Sequence, residues 1–162
     1  MKWTLDTTHS IAEFAVKHLM ISTVKGRFKT VTGTAETNAD GTLKNAVVTI
    51  DVASFPAMTF TSTTVEQHGE DIAITGDFTM RGVTKPLTMK GEISSVMKDP
   101  WGLSRAAINV SAKIKRSDWG LTWNAALETG GVVVSDEVKI TLEAEAVAEA
   151  AAEPAKEVAA AV

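Results

Sequence analysis

Apolar and polar residues alternate with a period of two along most of the chain. Between Asp71 and Met80 the even positions are mostly apolar, and the odd positions carry Asp, Ala or Thr. This alternation predicts a β-strand with one apolar and one polar face. It recurs often enough to predict about eight strands. The other segments are Ile11 to Lys17, Arg27 to Glu36, Ala46 to Val52, Met58 to Phe60, Leu87 to Ile93, Ala106 to Ile114 and Val138 to Leu142.

Clusters of turn-forming residues separate these strands, for example Asn38 to Gly41 and Gln67 to Glu70. Such short connections predict hairpins and therefore an antiparallel sheet. The apolar faces must pack against one another, either in a closed barrel or in a two-sheet sandwich. The barrel is favoured because the strands are long and the connections local, whereas Greek-key sandwiches need long crossovers.

The interior of an eight-stranded barrel is either filled by side chains or holds one small ligand. The pattern alone favours the packed core. The alternative is an apolar channel for a long, thin hydrophobic molecule.

The last twenty residues differ in composition from the strands. Half of residues 143–162 are alanine, with glutamates at four-residue spacing and an interruption at Pro154. This composition has high helix propensity but no continuous bulky face to bury. We therefore predict one barrel domain over residues 1–142, followed by a disordered or frayed tail over residues 143–162.

Composition narrows the function further. A chain of 162 residues with 44% hydrophobic residues is long enough to bury a core as one domain. Its net charge of -4 argues against nucleic acid as a partner. No apolar run reaches the roughly 20 residues of a membrane-spanning helix, so no membrane insertion is expected. The start of the sequence has no export signal, which predicts a cytoplasmic protein, or a periplasmic one if this is a mature form.

Candidate catalytic chemistry is sparse. The absence of cysteine excludes thiolate nucleophiles and zinc-thiolate sites. His9, His18 and His68 lie in three different segments without metal-ligand spacing, so no metal, cofactor or catalytic residue is predicted. A hydrolase or isomerase that uses His18 or His68 with a nearby carboxylate is the rival hypothesis from another class.

Six segments in order resemble the YceI-like family, and they span almost all of residues 1–143. They are Trp3 to Asp6 with His9 and Ser10, Val16 to Phe28, Gly76 to Pro86, Asp99 to Gly102 with Arg105, Ile114 to Asn124, and Gly130 to Val138.

This resemblance implies a lipocalin-like, up-and-down antiparallel barrel. Its channel would hold a polyisoprenoid, an isoprenoid quinone or another long-chain lipid, and no catalytic residue comes with the resemblance. It also suggests a homodimer and, for many members, a periplasmic location. Lys25, Arg27 and Arg116 are the candidates for contact with a ligand headgroup. The predicted lining or mouth residues are Phe14, Val16, Phe28, Ile50, Phe60, Phe78, Met89, Ile108, Trp119 and Trp123.

Two departures from the family pattern qualify this expectation. Family members have a connection of some two dozen residues at a point where this chain has only Phe55 between Ser54 and Pro56. We expect its loss to leave a more open channel with faster ligand exchange, because less of the ligand is removed from water. The segment Arg105 to Ile108 also lacks the family's glycine and aromatic residue. The alternative function is therefore a structural or engineered barrel with a collapsed core and no ligand.

Overall fold

The computed structural model describes residues 1–52 and 57–149. This part of the chain is almost entirely β-structure, with eleven strands and a 3₁₀ turn at Arg116–Trp119. No helix in it reaches the length and hydropathy of a membrane span. The strands are β1 (Lys2–Leu5), β2 (Ile11–His18), β3 (Ser22–Phe28), β4 (Thr30–Thr37), β5 (Leu43–Asp51), β6 (Met58–His68), β7 (Asp71–Met80), β8 (Val83–Ile93), β9 (Met97–Lys98), β10 (Ser104–Lys115) and β11 (Val134–Ala148).

Eight of these strands close into a barrel. Strands β4 to β8 each pair with the next, β8 pairs with β10, and β10 pairs with β11. Strand β11 also pairs with β1, and β1 pairs with β4, so the ring returns to its start with every pairing antiparallel. The β2–β3 hairpin attaches to the other half of β11, and the short β9 attaches to β10. The predicted eight-stranded antiparallel barrel is confirmed, and the two-sheet sandwich is wrong.

The segment Arg27 to Glu36 does not form the single strand that its pattern predicts. Strand β3 ends at Phe28, and β4 begins at Thr30. The two strands have different partners, because β3 pairs with β2 whereas β4 pairs with β1 and β5. A period of two continues through such a break, so the change of partner leaves no mark in the pattern.

Strand β11 runs past the boundary predicted after residue 142 and ends at Ala148. Its pairing with β10 continues to Val147, opposite Arg105. Ala144 is buried and Glu143 is exposed, so the inward and outward alternation also continues. Alanine occupies the inward positions in this part of the strand. The predicted domain boundary after residue 142 is therefore corrected to a position after the end of β11. The predicted tail from residue 150 onward lies outside the described residues.

The two ends of the barrel differ. We call the end formed by the connections at residues 38–42, 69–70 and 94–96 the mouth end. At the opposite end, the guanidinium of Arg81 donates a hydrogen bond to the carbonyl of Gly120 at 2.9 Å and joins the β7–β8 turn to the 3₁₀ turn. Buried side chains fill the interior there, and we call them the plug. The plug residues are Val31, Ile50, Met58, Phe78, Ile114, Trp119 and Ile140.

Strands β5 and β6, which flank residues 53–56 in sequence, have their adjoining ends at the plug end. Residues 53–56, the shortened connection, lie outside the described residues. On either side of them, Ile50 and Met58 pair across β5 and β6, and both are buried in the plug. The expected more open channel with faster ligand exchange stays a prediction.

Candidate functional site

A cavity of about 490 Å³ occupies the mouth half of the barrel. This volume lies within the range of small-molecule binding sites. Its walls come from β1, β4 to β8, β10 and β11, and its rim comes from the three connections of the mouth end. The lining residues on the walls are Trp3, Leu5, Thr34, Ala35, Thr37, Leu43, Ala46, Val48, Phe60, Gln67, Ile74, Met89, Ile93, Ala106, Ala107, Ile108, Val110, Leu142, Ala144 and Ala146.

Small inward side chains create this space. Ala106 on β10 lies opposite Ala146 on β11, and Ala144 lies opposite Ile108. Across the barrel, Ala35 on β4 lies opposite Ala46 on β5. A methyl group at these inward positions leaves empty the volume that Val, Ile or Phe would fill in a packed core. The cavity therefore follows from a run of alanines at inward positions.

Three of the ten predicted lining residues contact this cavity, namely Phe60, Met89 and Ile108. Three others, Ile50, Phe78 and Trp119, are buried in the plug. The rings of Phe78 and Trp119 meet edge to face with centroids 5.5 Å apart. The indole N–H of Trp119 has no hydrogen-bond partner within residues 1–52 and 57–149.

The remaining predicted lining residues lie away from the cavity. Phe14 and Phe28 contact each other on the β2–β3 hairpin with ring centroids 5.7 Å apart, and Val16 is half-buried on β2. Trp123 is 69% exposed in the connection that precedes β11. The structure therefore divides the ten residues among the cavity, the plug, the β2–β3 hairpin, where Phe28 packs against the core, and an exposed connection.

The three cations proposed for headgroup contact do not line the cavity. Lys25 is exposed on β3, and the Arg27 guanidinium pairs with Glu13 at 3.1 Å. Arg116 donates hydrogen bonds to the carbonyls of Leu121 at 2.6 Å and Ser135 at 3.0 Å. Arg116 thereby holds the irregular connection between the 3₁₀ turn and β11.

The rim of the cavity is polar and carries carboxylates. Asp40 and Glu70 line it together with Thr42, Ser94 and Ser95. The hydroxyl and the backbone N–H of Thr42 donate to the Asp40 carboxylate at 2.6 and 2.9 Å and lower the pKa of Asp40. Among the described residues that line the cavity there is no Lys, Arg or His.

An ion-pair network beside the mouth was not anticipated from the sequence. Arg105 donates to the carboxylates of Asp99 at 2.8 Å, Asp6 at 3.0 Å and Glu145 at 2.5 Å. The His9 ring nitrogen Nδ1 lies 2.9 Å from Asp6 Oδ2, the same oxygen that accepts from Arg105. Asp6, His9 and Glu145 bring potential metal-ligand atoms within 4.8 Å of one another, but the Arg105 guanidinium already bonds to two of the three. The cluster is therefore built to join β1, β10 and β11.

His18 and His68 do not share a site. His18 ends β2 and pairs with Val134 at the plug end of β11, whereas His68 ends β6 and pairs with Asp71 at the mouth end. The rival hypothesis needs only one of these histidines with a nearby carboxylate, and it stays a prediction.

We expect the Asp6 network to make stability depend on pH in two directions. The hydrogen bonds from His9 and Arg105 lower the pKa of Asp6, and the hydrogen bond from Arg105 lowers that of Asp99, so this stabilisation disappears as pH falls through the folded values. The hydrogen bond to Asp6 raises the pKa of His9 above 6.5, so its stabilisation is complete below pH 6.5 and is lost as pH rises through the folded value.

Urea unfolding at pH 5.5 and 8.5 tests the histidine contribution. The wild type should lose stability at the higher pH, and His9→Gln should lose less. His68→Gln, which changes an exposed histidine outside the network, should behave like the wild type. An equal loss in wild type and His9→Gln would contradict the assignment.

A model of the YceI-like domain matches the chain over residues 3–55 and 37–146. Protein YceI of Salmonella newport (strain SL254) is 33% identical, over 70% of this chain and 72% of that protein. The crystal structure of Burkholderia cenocepacia BcnA superposes with a TM-score of 0.72 at 19% identity, covering 87% of this chain and 98% of that one. A polyisoprenoid binding domain from Saccharophagus degradans superposes with a TM-score of 0.61 at 18% identity, covering 91% and 98%.

Proposed function

Because the chain belongs to the YceI-like family, we propose that it binds one long-chain isoprenoid lipid or quinone and sequesters or transports it without catalysis. The observation that carries the proposal is the cavity of about 490 Å³, which is walled by apolar side chains and open at one polar rim. Such a site favours an amphipathic ligand, with its apolar chain inside and its polar end at the rim.

Apolar burial is the expected driving force. Each buried methylene contributes about 0.8 kcal/mol. A ligand must first offset about 4–15 kcal/mol of lost translational and rotational freedom. Among the described residues, no cation lines the cavity, so electrostatic attraction of an anionic headgroup contributes nothing to the binding free energy. A substantial apolar chain is therefore required for tight binding.

The Saccharophagus degradans domain of the same fold is a polyisoprenoid binding domain. At 18% identity that likeness establishes the fold and leaves the ligand to be argued from this chain's own cavity. The apolar walls of the cavity and the sequence relationship to the YceI-like family point to the same ligand class.

The alternative is a structural barrel with a side-chain-filled core. The plug half of the interior is filled by side chains, as this alternative requires. The mouth half holds the cavity, which argues against it. Organic extraction of the purified protein followed by mass spectrometry separates the two functions. We expect a prenyl-chain lipid in the extract. Recovery of buffer components alone, with no saturable displacement of a fluorescent long-chain probe, would leave the structural barrel.

Trp3 should report ligand entry. It lines the cavity, is 4% exposed, and donates its indole N–H to the Thr37 hydroxyl at 3.2 Å. We expect a saturable change in tryptophan fluorescence on addition of an isoprenoid alcohol. Trp3→Phe should abolish this change while probe displacement persists, and Trp123→Phe, at an exposed position outside the cavity, should retain it. A signal that survives Trp3→Phe and disappears in Trp123→Phe would place binding elsewhere.

A further inference from the structure

We propose that this cavity accepts about fifteen carbon atoms of a single isoprenoid chain, with an uncharged polar end at the mouth. The inference rests on the proposed function and specifies the ligand. It follows from three features of the described residues: the height of the cavity floor, the volume above it, and the charge of the rim.

Packed side chains form a floor to the cavity, which can be located on three strands. On β11, Leu142 lines the cavity, and the next inward residue toward the plug, Ile140, does not. On β5 the same step separates Val48 from Ile50, and on β6 it separates Phe60 from Met58. The plug residues beyond this floor are all buried, with at most 8% of each exposed. A ligand therefore meets packed side chains halfway down the barrel.

The floor limits the depth of the cavity. On β11 the inward lining residues run from Ala146 to Leu142. Four residues at about 3.3 Å each, tilted by about 40°, give a depth of about 10 Å. An extended isoprene unit has four backbone bonds and advances about 5 Å at the bond geometry of an extended chain. The straight depth thus holds about two units, and a third must bend or project toward the rim.

The volume gives a similar limit. A water molecule takes about 30 Å³ in the liquid, and a methylene group is of comparable size. A cavity of about 490 Å³ then holds about sixteen such groups. The depth holds about two straight units and the volume about three, so the third unit is bent or projects toward the rim. Any further unit of a longer chain stays outside the mouth and gains little from burial.

The rim selects against anions. Asp40 and Glu70 line it, the Thr42 hydroxyl keeps Asp40 ionised, and the lining holds no cation within the described part of the chain. A phosphate or carboxylate headgroup would leave water to approach these carboxylates, which is unfavourable. The Thr42, Ser94 and Ser95 hydroxyls at the same rim suit a neutral hydroxyl or carbonyl group.

The chain-length limit is tested with the alcohols geraniol, farnesol and geranylgeraniol, of ten, fifteen and twenty carbons, by displacement of a fluorescent probe from the full chain. Affinity should rise by up to about a thousandfold from ten to fifteen carbons, the value for full burial of five further carbons, and by less than about threefold from fifteen to twenty. Absence of binding by all three alcohols would overturn the proposed function. An undiminished rise from fifteen to twenty carbons would overturn the length limit alone.

The charge selection is tested at fixed chain length with farnesol and farnesyl phosphate. The phosphate should bind at least about tenfold more weakly, and the difference should shrink as salt screens the rim carboxylates. Equal affinity, or tighter binding of the phosphate, would overturn this part of the inference while leaving lipid binding intact.

Two alanine-to-leucine variants test whether the cavity sets the chain-length limit. Ala144→Leu adds three carbons to the buried wall, so farnesol should lose most of its advantage over geraniol. Ala73→Leu makes the same change on β7 between the inward-facing Ile72 and Ile74, where the side chain points outward. This variant should leave the relative affinities for the three alcohols unchanged. The same length dependence in both variants would contradict the cavity as the source of the limit.

Discussion

Replacement of Gly91 by alanine should destabilise the barrel by about 3 kcal/mol or more, the upper range for an overpacked site. Gly91 lies on β8 opposite Val110 on β10 and Ile72 on β7. A Cβ atom at Gly91 would overlap the carbonyl oxygen of Asn109 and approach the Cα atom of Val110 to 2.9 Å. These are backbone atoms that no rotamer change can move, so β8 and β10 would have to separate at a pairing that closes the ring.

Urea denaturation of the Gly91→Ala variant measures this effect. Gly82→Ala is the matched control, because Gly82 has a φ of 76° and nothing within 4 Å of its added Cβ. The control should lose only the roughly 1–2 kcal/mol that a left-handed backbone costs a residue with a side chain. Equal losses in the two variants would mean that close strand approach is not what requires Gly91.

The barrel could be predicted from sequence because each strand must bury one face. Asp71 to Met80 is both the predicted and the observed extent of β7. The alternation did not reveal the break at Lys29, because it records which face is buried and not which strand is the neighbour. It also did not place the end of β11, because Ala144 and Ala146 have the composition of a tail and become core residues only when β10 pairs with them.

The candidate site was harder to predict than the fold. Large apolar residues were expected to form the channel wall, yet Ile50, Phe78 and Trp119 fill the plug. A cavity forms where side chains are too small to meet across the barrel, so alanine at inward positions is the informative signal. Such alanines occur on β10 and β11, at Ala106 and Ala144. Their height relative to the floor depends on strand register, which a single sequence does not supply.

The sequence shows the residues of the ion-pair network but does not show that they meet. Asp6, His9 and Arg105 are visible in the sequence, and the resemblance includes all three. Arg105 and Asp6 are far apart in sequence and meet because β1 and β10 both flank β11. The network is thus a product of barrel closure.

Truncation of Phe78 to alanine should both destabilise the protein and deepen the cavity. Phe78 is 4% exposed and packs edge to face on Trp119. Removal of a buried phenyl ring costs about 3–5 kcal/mol, because apolar burial is lost and a cavity remains. A domain with a typical total stability of about 5–15 kcal/mol can still fold after such a loss. The milder Phe78→Leu keeps the test available if the alanine variant unfolds.

The empty space left by Phe78→Ala adjoins Phe60, which pairs with it across β6 and β7 and lines the cavity. The floor should therefore open toward the plug, and geranylgeraniol should now bind at least about tenfold more tightly than farnesol, since burial of one more unit is possible. Phe14→Ala removes the same ring from the β2–β3 hairpin outside the cavity, and it should leave the ratio near that of the wild type. If Phe78→Ala folds, as judged by its urea transition, and keeps the wild-type ratio, then the plug does not set the length limit.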